Sequence, residues 1–368
     1  MGLTDGWNGV SVFGHGRVLW DTAGFQFLSV SLSNGTVLAE FPDLQVSKLS
    51  YRFEETTSET MVLPWRNIPS NWGEATVPYG VAVLLVRGST VLWGGIVVKR
   101  ERTLQGSGLS LTVAAVEHYL DSVYVKDHVY SNRDQCEIVQ DLVSSTFKDH
   151  RFMFLVEASP SSVRRDRVYE ESSGKTLLSV LQELSNVQDG PEWCTSWRIV
   201  DGRYMPVLTV ADRIGSVTPV TTFDESVMTS FKIVEDYTSG YGANMVWAVG
   251  DTTGVDQLRS DTMVAEQSYR PVVEHVVRPS SSITQKETLN AHASASLRQL
   301  RDGTNTISMT LSLLVAPIIY EEWRPGDVVA WTVADDDGRF VGFDHGEARI
   351  VGYDIDFSGV WTITPVLQ

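Results

Sequence analysis

Along the first third of the chain, apolar residues come in short runs separated by turn residues. Positions 81–86 are apolar throughout, the pattern of a strand covered on both faces. Arg87-Gly88-Ser89 reads as a tight turn. Positions 90–103 then read as a long strand carrying the pair Gly94-Gly95, and glycine inside a strand signals a bulge or bend. Gln105-Gly106-Ser107-Gly108 supplies the next turn and 109–115 the next strand. Turns at this spacing predict a meander that forms a sandwich or small barrel.

The period then changes. Ile138, Val139, Leu142, Val143 and Phe147 recur at helical spacing within 133–147, with Ser131 or Asn132 as the cap. Leu177, Leu178, Leu181 and Leu184 predict a second helix over 174–187, capped by Ser173. A strand over 152–157 lies between the helices, and two more, 195–200 and 207–210, flank an Asp201-Gly202 turn. From about 220 the β pattern returns. Thr284-Gln285-Lys286-Glu287 is a capping box heading a helix that runs to about Arg301, where Asp302-Gly303 ends it. Strands over 306–314, 328–333, 348–355 and 360–366 complete a closing sheet. The fold class is therefore β-rich α+β. An N-terminal β-barrel-like domain covers 1–125, a smaller α/β domain 126–219, and a C-terminal β-rich domain with one helix 220–368.

Composition supports a folded chain. Its 368 residues suffice for two or three domains, and 42% hydrophobic with 20% charged residues excludes disorder for most of the length. The net charge of −17 argues against tight nucleic-acid binding, which needs clustered Lys and Arg. An acidic wall does suit a channel that DNA crosses without sticking, although surplus acid also serves solubility. From residue 220 onward ten basic residues face twenty-one acidic ones, 10 − 21 = −11; the preceding 219 hold nineteen against twenty-five, 19 − 25 = −6.

The two cysteines, Cys136 and Cys194, supply neither a disulfide framework nor a metal motif, which points to folding in a reducing cytoplasm. Met1 to Trp7 carries no basic or apolar leader, and Gly6 stands where myristoylation wants Ser or Thr. The longest apolar run, 310–320, is too short for a membrane span and contains Pro317, so no membrane insertion is expected.

Candidate chemistry is sparse. Ser173-Gly174-Lys175-Thr176 resembles the end of a phosphate loop, but Tyr169 stands where that pattern needs Gly. His15, His118, His128, His150, His275, His292 and His345 lack partners at metal-site spacing, and no Gly-x-Ser-x-Gly elbow occurs. Asp335-Asp336-Asp337-Gly338 has too few ordered ligands for a calcium loop and reads as a solvated hairpin turn. Arg164-Arg165-Asp166-Arg167 is the only basic cluster and is expected on a loop after Pro160, facing an acidic neighbouring subunit. No catalytic, cofactor or metal site is expected. Carboxylate pairs for glycan cleavage stay open, since 46 acidic residues always offer some pair.

Three local patterns resemble those of minor tail proteins of actinobacterial siphophages. The first is Trp65-Arg66-Asn67-Ile68-Pro69-Ser70-Asn71-Trp72, followed by the strand pair ending in Leu92-Trp93-Gly94-Gly95-Ile96-Val97. The second is the helix over 177–187 leading into Gly190-Pro191-Glu192-Trp193 and the strand at Trp197. The third is Arg324-Pro325-Gly326-Asp327-Val328-Val329 before a closing hairpin. They span most of the chain, in matching order.

The resemblance implies the baseplate-hub fold of long-tailed phages. That fold has two tube-like β-barrel domains with a smaller α/β domain between them. Three such chains give six barrels in a ring that continues the tail tube and narrows it to threefold symmetry. The implied role is a trimeric tail-tip hub in the virion. It would contact the distal tail protein, the tape-measure protein and fibre or tip proteins, and pass DNA without specific binding. Asp335, Asp336 and Asp337 are then candidates for the channel wall. Two other classes remain open on the residues: a host-glycan-binding tail module and a tail-associated cell-wall hydrolase. The tryptophans permit the glycan module, but Trp20, Trp93, Trp331 and Trp361 sit in strand patterns and read as core.

Overall fold

The structure, a computed structural model, describes residues 24–148, 150–238, 241–250, 257–266, 270–279, 285–335 and 337–368. It is β-rich, with few helices and several sheets. The chain divides into two compact units, Met1–Ser230 with Met309–Gln368, and Phe231–Ser308.

In the first unit, six antiparallel strands lie in the order Val37–Glu40, Phe25–Ser31, Val81–Arg87, Thr90–Glu101, Gly108–Ala114, Ser58–Pro64. After Val37–Glu40 the chain crosses to the opposite edge, where Gln45 and Val62 exchange backbone hydrogen bonds of 2.8 Å. The chain that leaves one edge strand thus reaches the other edge of the sheet. Cover on both faces explains the uninterrupted apolar run in Val81–Arg87. Ala82, Leu84 and Val86 face the helical segment, while Val81, Val83 and Leu85 are buried on the other face.

The long strand Thr90–Glu101 bulges at Leu92 against Val81–Arg87 and at Val98 against Gly108–Ala114, rather than at Gly94-Gly95: Leu85 pairs with Trp93 and Val86 with Val91, and Val113 pairs with Val97 and Thr112 with Lys99. The glycines serve close packing instead. A Cβ on Gly94 would stand 2.6 Å from the Trp197 indole, and one on Gly95 would stand 2.8 Å from the Ala114 carbonyl.

The α/β segment has helices Gln135–Phe147 and Leu177–Ser185. They pack with Trp193, Trp197, Leu208 and Val210 in one core. The first helix starts two residues later than its apolar spacing suggests. Asp134 caps it in place of Ser131 or Asn132: its carboxylate accepts from the amides of Cys136 at 2.8 Å and Glu137 at 3.3 Å. Residues 131–134 belong to strand His128–Asp134. Thr176 replaces Ser173 as cap of the second helix, accepting from the Ser179 amide at 3.2 Å. Gly174, at φ 61°, ends a single 3-10 turn, and Lys175 pairs with Glu183 at 2.6 Å. The supposed end of a phosphate loop is thus a turn followed by a helix cap.

Arg164-Arg165-Asp166-Arg167 is not a loop. It opens strand Arg164–Tyr169, paired antiparallel with His128–Asp134. The strand after the first helix is Leu155–Ala158, shorter than 152–157; Phe154 stacks on Phe147 and Phe152 meets it edge-on. It lies parallel to Arg203–Ala211, which pairs antiparallel with Glu192–Val200 across the Asp201-Gly202 turn. Both turn residues have positive φ, 50° and 73°, as a tight two-residue hairpin requires.

The closing sheet runs Pro219–Phe223, Val328–Thr332, His345–Asp356, Thr362–Leu367, Thr304–Ser312, Met228–Asp236. Residues 224–227 connect its first and last strands in sequence. Lys48–Arg52 pairs with Gly352 to Asp356, binding the two β-rich regions of the first unit together.

In the second unit, Met245–Ala248, Met263–Val264 and Glu274–Val277 form a small sheet. Helix Lys286–Leu300 covers it with Leu289 and Ala293. Thr284 of the expected capping box lies outside the described residues.

Candidate functional site

Two of the recurring motifs meet in one network. Glu192, from Gly190-Pro191-Glu192-Trp193, accepts from Arg349 Nη1 at 2.7 Å and Nη2 at 2.5 Å, and from the Ile214 amide at 2.7 Å. Arg349 also donates to the carbonyls of Gly326 at 3.1 Å and Ile214 at 2.9 Å. Gly326, from Arg324-Pro325-Gly326-Asp327, and Gly215 both have positive φ, 100° and 85°. Their backbones touch so closely that a Cβ on Gly215 would lie 2.1 Å from Gly326. Buried Asp327 locks the turn, accepting from the Ser216 amide at 2.8 Å and the Arg324 amide at 3.0 Å. These motifs are thus structural joints between the hairpin 192–211 and the closing sheet.

Beside this joint lies a buried polar cluster. Glu117, fully buried, accepts from the Thr195 hydroxyl at 2.6 Å, and burial pushes its carboxyl up to about 7. Tyr51 and Tyr353 stack at 5.5 Å, and the Tyr353 hydroxyl donates to the Leu92 carbonyl at 2.6 Å. Burial pushes the Cys194 thiol up to about 12, with the Glu117 charge adding to the effect. Cys136 is likewise pushed up to about 12 by burial. Neither thiol is a ready nucleophile, which would need a lowered pKa.

A cleft of about 470 Å³ opens in front of this cluster. Arg198, Arg213 and Arg324 line it together with Ser196, Thr90 and Tyr320, and no carboxylate among the described residues does; Arg324 reaches Asp327, behind the cleft wall, at 4.0 Å. Arg198 is held by Glu157 in a two-pronged pair at 2.7 and 2.5 Å. Arg213 donates to the Ser216 carbonyl at 3.3 Å and has no carboxylate within ion-pair reach among the described residues. The arrangement can bind an acceptor-rich partner. It assembles no nucleophile, base and oxyanion donor.

The expected channel residues lie in the hairpin loop 333–344, whose base is closed by the Val333 amide on the Asp344 carbonyl at 2.7 Å. Half-buried Asp335 accepts from the Phe340 amide at 2.8 Å, and exposed Asp337 pairs with Arg339 at 3.0 Å. Asp336 lies outside the described residues. Among the described residues no three His, Cys, Asp or Glu side chains converge as metal ligands. Trp93 and Trp331 are buried and Trp361 packs edge-on against Phe25 and Phe357; Trp20 lies outside the described residues. Sequence reasoning missed the cleft because its arginines come from three separate segments. One available signal was Pro206 inside a strand, which marks a position whose amide is not needed by the neighbouring strand.

No protein-family model matches the sequence, and no curated protein matches it. Solved structures do match. A tail protein from Neisseria meningitidis MC58 aligns at 14% identity and TM-score 0.52, over 94% of this chain and 97% of that one. The 43 kDa tail protein of prophage MuSo2 from Shewanella oneidensis aligns at 13% identity and TM-score 0.51, over 93% and 98%. The chain has the fold of these phage tail proteins.

Proposed function

We propose that this chain is a structural minor tail protein, a trimeric baseplate or tail-tip hub. The observation that carries the reading is the shared fold, which extends over more than nine tenths of both chains in each comparison. Two large β-sheets in one chain suit the arrangement in which three chains offer six barrels to a sixfold tube. One barrel lies within 1–125 and the other within 220–368, with the α/β domain of 126–219 between them. The ring continues and closes the tail tube at the virion tip. It contacts the distal tail protein, the tape-measure protein and fibre or tip proteins, and DNA crosses it during ejection without specific binding. The acid from residue 220 onward, with Asp335, Asp336 and Asp337, faces the lumen. There it repels phosphates that pass within a Debye length, ~8–10 Å. The protein is made in the host cytoplasm and inserts in no membrane; no helix among the described residues is long and apolar enough to cross one. It has no enzymatic role.

Mass measurement of the purified protein and of assembled tails, beside imaging of the tip, tests this reading. A threefold ring of this chain is expected. A closed dimer, or a ring of six copies, in the assembled tail refutes it.

A further inference from the structure

Among the described residues strand Glu192–Val200 is the outer strand of its sheet, paired with Arg203–Ala211 alone. In an antiparallel pair, alternate residues turn their N–H and C=O toward the partner strand and away from it. Four observations identify the outward set. The Trp193 amide donates to the Glu54 carboxylate at 3.2 Å. Val210, opposite Trp193, turns its carbonyl away to accept from Ser159 at 2.9 Å. Pro206, opposite Trp197, has no N–H to give. Tyr204, opposite Ile199, donates its amide to the Gly35 carbonyl at 2.9 Å. Residues 193, 195, 197 and 199 therefore present their backbone groups outward, and Thr195, Trp197 and Ile199 line the arginine cleft. Among the described residues no backbone group pairs with the amides of Trp197 and Ile199.

We infer that this edge is completed, in the assembled tail, by one extended strand of a partner protein that carries acidic side chains. The inference rests on the tail-component reading. An unpaired strand edge is a template for another backbone, since its alternating donors and acceptors match a second strand and not a row of phosphates. The Thr195 amide is taken by the Tyr51 hydroxyl, so the open positions are the amides of Trp197 and Ile199 with the outward carbonyls beside them, a stretch of roughly 7–13 Å at ~3.3 Å per residue that suits a short added strand. The charge of the occupant follows from the walls. Three arginines line the cleft; Arg198 is paired with Glu157 and Arg324 reaches Asp327 at 4.0 Å, which leaves Arg213 as the cation without an ion pair among the described residues, in a chain of net charge −17.

Residue-resolved hydrogen exchange on the full purified chain and on assembled tails tests the inference. In the free chain the amides of Trp197 and Ile199 should exchange about 100-fold faster than those of Ser196 and Arg198, which bond inward. In tails the two outward amides should slow by about the same factor. Outward amides as fast in tails as in the free chain overturn the inference and leave the tail reading standing. Mass spectrometry that finds no copy of the chain in purified tails overturns both. Protection of the free chain by a single-stranded DNA oligonucleotide alone overturns the choice of a protein strand. Ile199→Pro removes one outward N–H and should reduce incorporation into tails at least tenfold, whereas Ile199→Ala should incorporate normally. R213E should reduce incorporation while leaving the exchange pattern of the free chain unchanged. Normal incorporation of both I199P and R213E refutes the inference.

Discussion

Replacing Glu117 by Gln should stabilise the protein above neutral pH and flatten its pH dependence. Burial raises the Glu117 carboxyl from an ordinary 4.5 to about 7, against the smaller opposing effect of the Thr195 hydroxyl. One pH unit between folded and unfolded values is worth about 1.4 kcal/mol, so the ionised form costs the fold on the order of 3 kcal/mol. The folded carboxyl keeps its proton to higher pH than the unfolded one. Its stabilising contribution is therefore complete below about 4.5 and is lost as pH rises through about 7. Gln keeps the shape and the acceptor for the Thr195 hydroxyl and never ionises. E117Q should match the wild type within about 1 kcal/mol at pH 5 and exceed it by roughly 2–3 kcal/mol at pH 8.5. Because the chain has two compact units, the readout should be local. Native-state amide exchange of strand Val81–Arg87, corrected for the intrinsic pH dependence, reports opening of the first unit. A variant that is less stable at every pH, or one with the wild-type slope between pH 5 and 8.5, would refute the reasoning.

Arg349→Met should destabilise the first unit by about 2 kcal/mol, since it leaves half-buried Glu192 without its guanidinium; E192Q/R349M should recover part of that loss in chemical denaturation. Gly94→Val should cost about 2 kcal/mol or more and lower the thermal midpoint, because its Cβ would meet the Trp197 ring and Leu84 at 2.5–2.6 Å. In a structure of the assembled ring, side chains facing the axis should be predominantly acidic; a neutral or basic lumen, with Asp335 and Asp337 outside, refutes the charge argument. Zymography of the purified chain on host peptidoglycan should show no clearing, and a lysis band that persists after removal of other virion proteins would refute the structural role.

The sequence by itself determined the elements whose pattern is local. Strand Val81–Arg87, the Asp201-Gly202 hairpin and the inward faces of helices Gln135–Phe147 and Leu177–Ser185 follow from burial period and turn chemistry, which act between near neighbours. The Asp335–Asp337 loop was legible in the same way, as polar turn residues between two strands. Only the tertiary structure decided which polar groups find partners. Ser131, Asn132 and Asp134 are all competent caps, and the pairing of His128–Asp134 with Arg164–Tyr169 leaves Asp134 as the one at the helix start. Arg164 to Arg167 carry loop-like composition but pair as a strand once that neighbour is present. Arg349 meets Glu192 across 157 positions, and Lys48–Arg52 joins a strand some 300 residues away; no local window contains both partners. The cleft is of the same kind. Arg198, Arg213 and Arg324 each look like solvated charges along the chain, and chain folding alone brings them to one unpaired strand edge. Hydrophobic period is written residue by residue, whereas a charge or a strand edge acquires its partner only when the long-range topology is complete.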